Sequence, residues 1–426
     1  MAMKSNHEEA DILQAMHLAS LSSLPFGLKV AVDLGLLEII SKADTPSRTL
    51  SPAEIVSQLP TNNPEAASIV DRILRLLATH SILTCTQITG EDGKIQRSYG
   101  LSSVGKYFLL NEGGISFVPL QRIHLEKHAV ECWKFLKDVV LEGGFSCERA
   151  FGKHLFELQA TDDEMSKNFN RAMSIYTDLV MNKVLETYKG FEGVSQVVDV
   201  GGGVGTNLKL IVSKYPQIKG TNFDLPQVIK HAVPFPGVEH LAGDMFTEIP
   251  KAEVIFMKSM LHDWGDDLCL KLLKVCYDAL PKNGKIVSVE SIISEVPEKD
   301  IVTKTIFQRD LFLLHILPGA KERTTQEFET LAKQGKDKRR TSFVRHGPTA
   351  ARSDDIYLHL AARSDFVLIF SSLTMKQDLN LFDLLIPDDE ARSEEMLTFS
   401  SLTMKQDLNL VLIFSSLMMK QDLKKS

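Results

Sequence analysis

The stretch VSQVVDVGGGVG, residues 194–205, is a β-rich run that breaks into glycines. A strand turning through glycine into a helix lets the backbone pass close to a ligand. The succeeding segments keep that rhythm: NLKLIVSKYP (207–216) reads as a helix, KGTNFDLP (219–226) as a strand, and AEVIFMKSM (252–260) as a strand. DDLCLKLLKVCYDALPKNG (266–284) reads as a helix closed by Gly284, and KIVSVESI (285–292) as a further strand. Strands alternating with helices imply an α/β fold with a parallel sheet and crossover connections. The glycine spacing is not that of a dinucleotide fingerprint, because GxGxxG from Gly201 needs glycine at 206, where Thr206 stands. What is present is GxGxG preceded by Asp199, and a tight structural turn is the competing explanation.

Two further acids bear on the loop. Asp224, in NFDLP, ends the second strand, where a carboxylate accepts hydrogen bonds from ribose hydroxyls. Asp244 and Met245, in GDMF, end the next segment, where an acid and a flexible thioether suit the edge and face of an adenine. Each alone is compatible with a turn or helix cap.

Outside this region the chain is helical in period. Apolar positions from Ile12 to Ile40 recur at helical spacing and are interrupted at Pro25, giving two amphipathic helices or one kinked one. SPAEIVSQL (51–59) carries a capping box, Ser51 with Glu54, and residues 64–83 read as another helix. Residues 98–107 suit a short wing, so residues 1–110 suggest a winged-helix-like, essentially all-α domain. Winged helices commonly bind DNA, but this region holds nine Lys and Arg against eleven Asp and Glu, a poor balance for a polyanion. Packing or dimerisation is the better reading. Residues 118–188 are helical again, broken by LEGG at 141–144.

The 426-residue chain has a net charge of -7, which gives no reason to expect a nucleic-acid or membrane-surface partner. Its five cysteines lack CxxC spacing, so neither a disulfide framework nor a zinc site is signalled. With no signal pattern at the N-terminus and no run near the roughly 20 apolar residues of a membrane helix, a cytoplasmic location is expected.

His262, in MKSMLHDWGDD (257–267), has two readings. It precedes Asp263, a reasonable N-cap for the next helix, with Asp266 and Asp267 favoured by the helix dipole. It also follows a strand end on the ligand side of the sheet, where a base would stand.

In this order VVDVGGGVG, NFDLPQVI, PGVEHLAGDMF, MKSMLHDW, LPKNGKIV and GAKERTTQEFE resemble plant S-adenosylmethionine-dependent O-methyltransferases of the caffeate/flavonoid type, over about residues 10–334. The resemblance implies a Rossmann-like catalytic domain over residues 111–334, a helical dimerisation domain, a homodimer and no metal. It implies that Gly201, Asp224, Asp244, Met245 and Lys258 contact S-adenosylmethionine. It also implies that His262 is the general base, accompanied by Glu290 and Glu322. The chemistry agrees, since a phenol with pKa about 10 needs a base and an imidazole near 6.5 is matched to the task. The expected reaction is methyl transfer to a phenolic hydroxyl of a plant small molecule: a phenylpropanoid, flavonoid, stilbene or alkaloid.

Departures from the family pattern matter too. Ser259 stands where KWxxHDW has Trp. In the acceptor pocket Met173 is kept, whereas Gln159, Tyr176 and Leu317 replace other residues, and Leu317 in place of Asn implies a less polar acceptor. Beyond the KERT helix the two closing strands of the family are not recognisable. Residues 335–426 instead repeat FSSLTMKQDLNL at 370–381 and 399–410, with FSSLMMKQDL from 414. This tail is expected to be poorly ordered, the other arrangement being that DFVLIF (365–370) docks on the exposed sheet edge. The alternative function is therefore an impaired family member that binds cofactor or dimerises without turnover.

Overall fold

The computed structural model describes residues 6–43, 48–89, 95–110, 114–335, 360–363 and 366–370. Most of the repeat-containing tail lies outside them, and with it the expectation of poor order.

The N-terminal region begins with helices Asn6–Ser20, Ser23–Asp33 and Leu36–Ala43. The first break falls at Leu21 and Ser22 rather than at Pro25, which sits in the first turn of the second helix, where a missing N–H costs nothing. Gly35, at φ +66°, makes the next break. The capping box forms: Glu54 N donates to Ser51 Oγ at 3.3 Å and Ser51 N to Glu54 Oε2 at 2.8 Å. After helix Ala66–Thr79 come β1 (Leu83–Thr89) and β2 (Ile95–Leu101), an antiparallel hairpin with Leu83 opposite Leu101. This domain is thus not all-α, and its wing, β1 and β2, starts earlier than the expected 98–107 and overlaps it only at residues 98–101. The reason is legible afterwards in LTCTQIT, whose β-branched residues favour a strand. Leu36, Leu37, Ile40, Leu74, Leu77 and Tyr99 are fully buried between these elements.

Short helices and the long helix Asp163–Thr187 connect to the sheet, with Gly143 and Gly144 at positive φ where LEGG predicts a break. The strands are β3 (Gln196–Val200), β4 (Lys219–Asp224), β5 (Val238–Ala242), β6 (Val254–Lys258) and β7 (Lys285–Glu290). Two more, β8 (Leu360–Arg363) and β9 (Phe366–Phe370), come from the tail. The order is β5-β4-β3-β6-β7-β9-β8, parallel except for β8 against β9. β9 pairs with β7 from Ile286 opposite Phe366 to Glu290 opposite Phe370, so the docking arrangement is the one adopted.

One face of the sheet packs on helix Asp266–Ala279 through Cys269, Leu272, Leu273 and Cys276. The other packs on Val180, Met181 and Val184 of the long helix. The chain leaves β3 for β4 on one side and reaches β6 on the other, so the switch point of the sheet lies at β3, and in such sheets ligands bind beyond the strand carboxyl ends there.

Candidate active site

The glycine loop follows β3. Gly201 and Gly203 have φ of +67° and +61°, a region in which only glycine rests easily. A Cβ on Gly202 would lie 2.2 Å from Asn222 Oδ1, so the loop is laid directly on the strand ends. Asp199 is beneath it, fully buried, with Asn207 Nδ2 donating to its Oδ2 at 3.0 Å and its Oδ1 without a partner. Burial pushes the Asp199 carboxyl up to about 7. Asp224 accepts from Gly203 N at 2.8 Å and from Leu225 N at 2.7 Å, one bond on each oxygen, and its pKa is raised by burial.

Asp244 is exposed and holds its own turn, accepting from Phe246 N at 2.9 Å and from Thr247 Oγ1 at 2.8 Å. Met245 packs beside it on the core. Lys258 ends β6 buried, its pKa lowered by that burial, with Nζ 4.9 Å from the ring centre of Tyr176. Ser259 then takes φ +53°, a left-handed conformation that turns the chain into the single 3-10 turn Leu261–Asp263.

His262 lies in that turn. Its Nδ1 is 3.0 Å from Glu322 Oε1 and its Nε2 is 3.4 Å from Asp263 Oδ1. Asp263 is therefore not the N-cap of the next helix, which starts at Asp266 behind Gly265. Burial alone would lower the His262 pKa, but the carboxylates of Glu322, Asp263 and Glu290 outweigh it and raise the imidazole to about 9. Burial also lifts Asp263 to about 6. For Glu322 burial acts upward too, yet His262 and Arg309 prevail and hold it down at about 2.

The two glutamates differ in what they touch. Glu322 meets the ring. Glu290 accepts from Met260 N at 3.2 Å, Leu261 N at 3.0 Å and Ser288 Oγ at 3.0 Å, and its Oε2 is buried without a partner. The segment carrying Glu322 is fixed by Glu322 N donating to Asp310 Oδ1 at 2.7 Å and Lys321 N to the His262 carbonyl at 3.0 Å. Arg323, fully buried, donates to the carbonyls of Leu261 and Trp264 and to Asp266.

Of the expected acceptor residues, Tyr176 joins this network: Arg309 Nη1 donates to its hydroxyl at 3.1 Å while Arg309 Nε donates to Glu322 Oε1 at 2.5 Å. Arg309 and Lys258 together outweigh burial and lower the Tyr176 pKa. Met173 lies on the same helix, three residues before Tyr176 and so on its face. Leu317 is buried in a separate cluster with Phe312, Leu313 and Ile316, and Gln159 has its amide nitrogen buried without a partner. Sequence reading missed Arg309, Arg323 and the acid role of Asp263 beside the ring. Arg309 sits in FQRDLF, where a charge inside an apolar helix was the available signal.

Among the described residues no group of three or more His, Cys, Asp or Glu is arranged to hold a metal ion, and no single helix is long and apolar enough to cross a membrane. Residues 133–336 match the family described as O-methyltransferase domain, and residues 16–111 the O-methyltransferase dimerisation domain. The caffeic acid 3-O-methyltransferase of Eucalyptus gunnii is 52% identical over 76% of this chain and 88% of its own length. That of Medicago sativa is 52% identical over 76% of this chain and 89% of its own. In fold the chain resembles human N-acetylserotonin methyltransferase, with a TM-score of 0.66 at 22% identity, over 78% of this chain and 93% of that one. The switch point of the sheet, the glycine loop beside it and these matches agree: the chain belongs to the plant caffeate-type family of S-adenosylmethionine-dependent O-methyltransferases.

Proposed function

We propose that the chain transfers a methyl group from S-adenosylmethionine to a phenolic hydroxyl of a plant small molecule, with His262 as general base. The observation that carries this is the buried His262–Glu322 pair, 3.0 Å apart, at the end of the strand adjacent to the glycine loop. When bound, S-adenosylmethionine supplies a methyl group already activated by its sulfonium. The residues present fit it. Each Asp224 oxygen has spent one lone pair on a backbone N–H and keeps another for a ribose hydroxyl. A Cβ on Gly203 would meet nothing within 4 Å, which leaves open room above the loop. Gly201 and Lys258 flank that space from β3 and β6, and the turn held by Asp244 presents Met245 for an adenine face.

On the acceptor side, Glu322 on Nδ1 fixes the imidazole so that Nε2 is the nitrogen that takes the phenolic proton. Glu290 holds the turn that carries it. Tyr176, tied to Arg309 and facing Lys258, and Met173 on the same helix are the acceptor-side residues nearest this network, whereas Leu317 and Gln159 remain acceptor residues only by the family pattern. Positioning of oxygen, carbon and sulfur in line contributes roughly 7 to 11 kcal/mol where alignment is good. The dimerisation domain supports a homodimer. An impaired family member is the weaker reading, since β9 stands on the edge of β7 that the altered tail threatened to leave open.

Incubation of the purified chain with methyl-labelled S-adenosylmethionine and a panel of catechols, flavonoids and stilbenes tests the proposal. Label is expected on a phenolic oxygen of at least one class. Cofactor binding with no transfer to any of them would favour the impaired reading.

A further inference from the structure

One carboxylate oxygen at this site serves two cations. Glu322 Oε1 receives Arg309 Nε at 2.5 Å and His262 Nδ1 at 3.0 Å. Arg309 comes from helix Ile301–Ile316 and reaches Tyr176, on the long helix Asp163–Thr187, with Nη1. Its Nη2 is buried without a partner. The planar fork therefore ties three segments together: the turn before helix Thr325–Gln334, the long helix, and through Glu322 the base.

We propose that Arg309 is a positioning residue for methyl transfer, dividing the charge of Glu322 with His262 so that the imidazole gives up its proton at a lower pH than an undivided pair would allow. The proposal rests on His262 being the base. Around that ring stand Glu322, Asp263 at 3.4 Å and, farther out, Glu290. Lys258 acts on Asp263 and Tyr176, and Asp310 holds the Glu322 amide. Three carboxyl groups facing one imidazole stabilise the imidazolium, a form with no lone pair to accept a proton. Arg309 is the cation placed on the same oxygen as His262, and a charge-assisted bond from a guanidinium draws that oxygen away from the ring.

The test reads the base directly. The His262 ring proton, identified by its loss in His262→Gln, is titrated by NMR in the wild-type chain and in Arg309→Met, Arg309→Gln and Arg309→Lys, alongside the pH–rate profile of each. Both neutral variants should raise the His262 midpoint by about one pH unit, with roughly tenfold lower rate near pH 7, while Arg309→Lys returns the midpoint toward wild type. An unmoved midpoint in a neutral variant that still folds and binds S-adenosylmethionine overturns the proposal. So does failure of both neutral variants to fold, which would make the guanidinium a structural brace. A His262→Gln enzyme with undiminished rate would instead sink the base assignment, leaving the NMR coupling to be judged by itself.

Discussion

Glu290 takes the backbone N–H of Leu261 at 3.0 Å, one residue before His262, and has no hydrogen bond to the imidazole. It acts on the proposed base through the chain as well as through its charge. A Glu290→Gln change keeps an acceptor oxygen for Leu261 and Met260, so kcat should fall by no more than about tenfold, whereas Glu290→Ala leaves three donors, Met260 N, Leu261 N and Ser288 Oγ, without their acceptor and should cost roughly 10² or more in rate and about 1 to 3 kcal/mol in stability. Steady-state kinetics beside thermal melts check this. Equal losses in the two variants would mean that the charge, and not the acceptor, is what matters.

With His262 as the proposed base, the pH dependence should follow its imidazole. In the free enzyme its imidazole is raised to about 9, so the neutral form that accepts a proton grows as pH rises. kcat/KM should therefore climb through neutrality and level off near pH 9, roughly tenfold per unit below that midpoint. In Glu322→Gln, the midpoint should fall toward the ordinary value of about 6.5, with kcat reduced as ring orientation is lost. A profile flat from pH 6 to 10 would remove His262 from the proton transfer.

Asp224 is the clearest cofactor test. Asp224→Ala should weaken S-adenosylmethionine binding by roughly 1.5 to 3 kcal/mol, the loss of hydrogen bonds to a charged acceptor, and should loosen the glycine loop, because Gly203 N loses its partner at 2.8 Å. Equilibrium titration measures it. Unchanged affinity would make Asp224 a turn residue alone.

Much of this was readable in the linear chain where chemistry is local: the glycine turn after β3, the acid at the end of β4, the capping box at Ser51. The position of His262 as a candidate base was readable, but its environment was not. Glu322 lies 60 residues from His262, and Arg309 lies 133 from Tyr176, so those pairings depend on how helices stack on the sheet and leave no spacing to detect. Asp263 shows the reverse error. Its place before an acidic helix start suggests a cap, yet the 3-10 turn places it at the ring and leaves the cap position to Gly265.

Leu13 and Met16, on the first helix, are 60% and 63% exposed in the single chain, within a domain that matches a dimerisation family. Burying each contributes about 1.5 to 3 kcal/mol. A Leu13→Asp, Met16→Asp double variant should weaken self-association by at least about 100-fold and sediment as a monomer at micromolar concentration. A dimer of unchanged stability would place the interface on another face.

The edge of β7 offers the final test, because its partner comes from the repeat-bearing tail. β9 lies between β7 and β8, with Leu368 opposite Ser288 on one side and Ala361 on the other. Whichever way the Leu368 N–H points, a strand is there to accept it. Leu368→Pro removes that donor and strands a carbonyl inside the sheet, at a cost of about 1 to 3 kcal/mol, since proline belongs on edge strands and not between two neighbours. Truncation after Gly335 goes further and bares β7, whose Ile286, Val287 and Val289 are fully buried, as a flat apolar edge. Both variants should melt at lower temperature and aggregate sooner than the full chain, truncation the more severely. The glycine loop follows β3, away from that edge, so S-adenosylmethionine affinity in protein that stays soluble should change less than Tm. Light scattering during thermal melts distinguishes the outcomes. A truncated chain as soluble and stable as the parent would mean that β9 contributes nothing to closing the sheet.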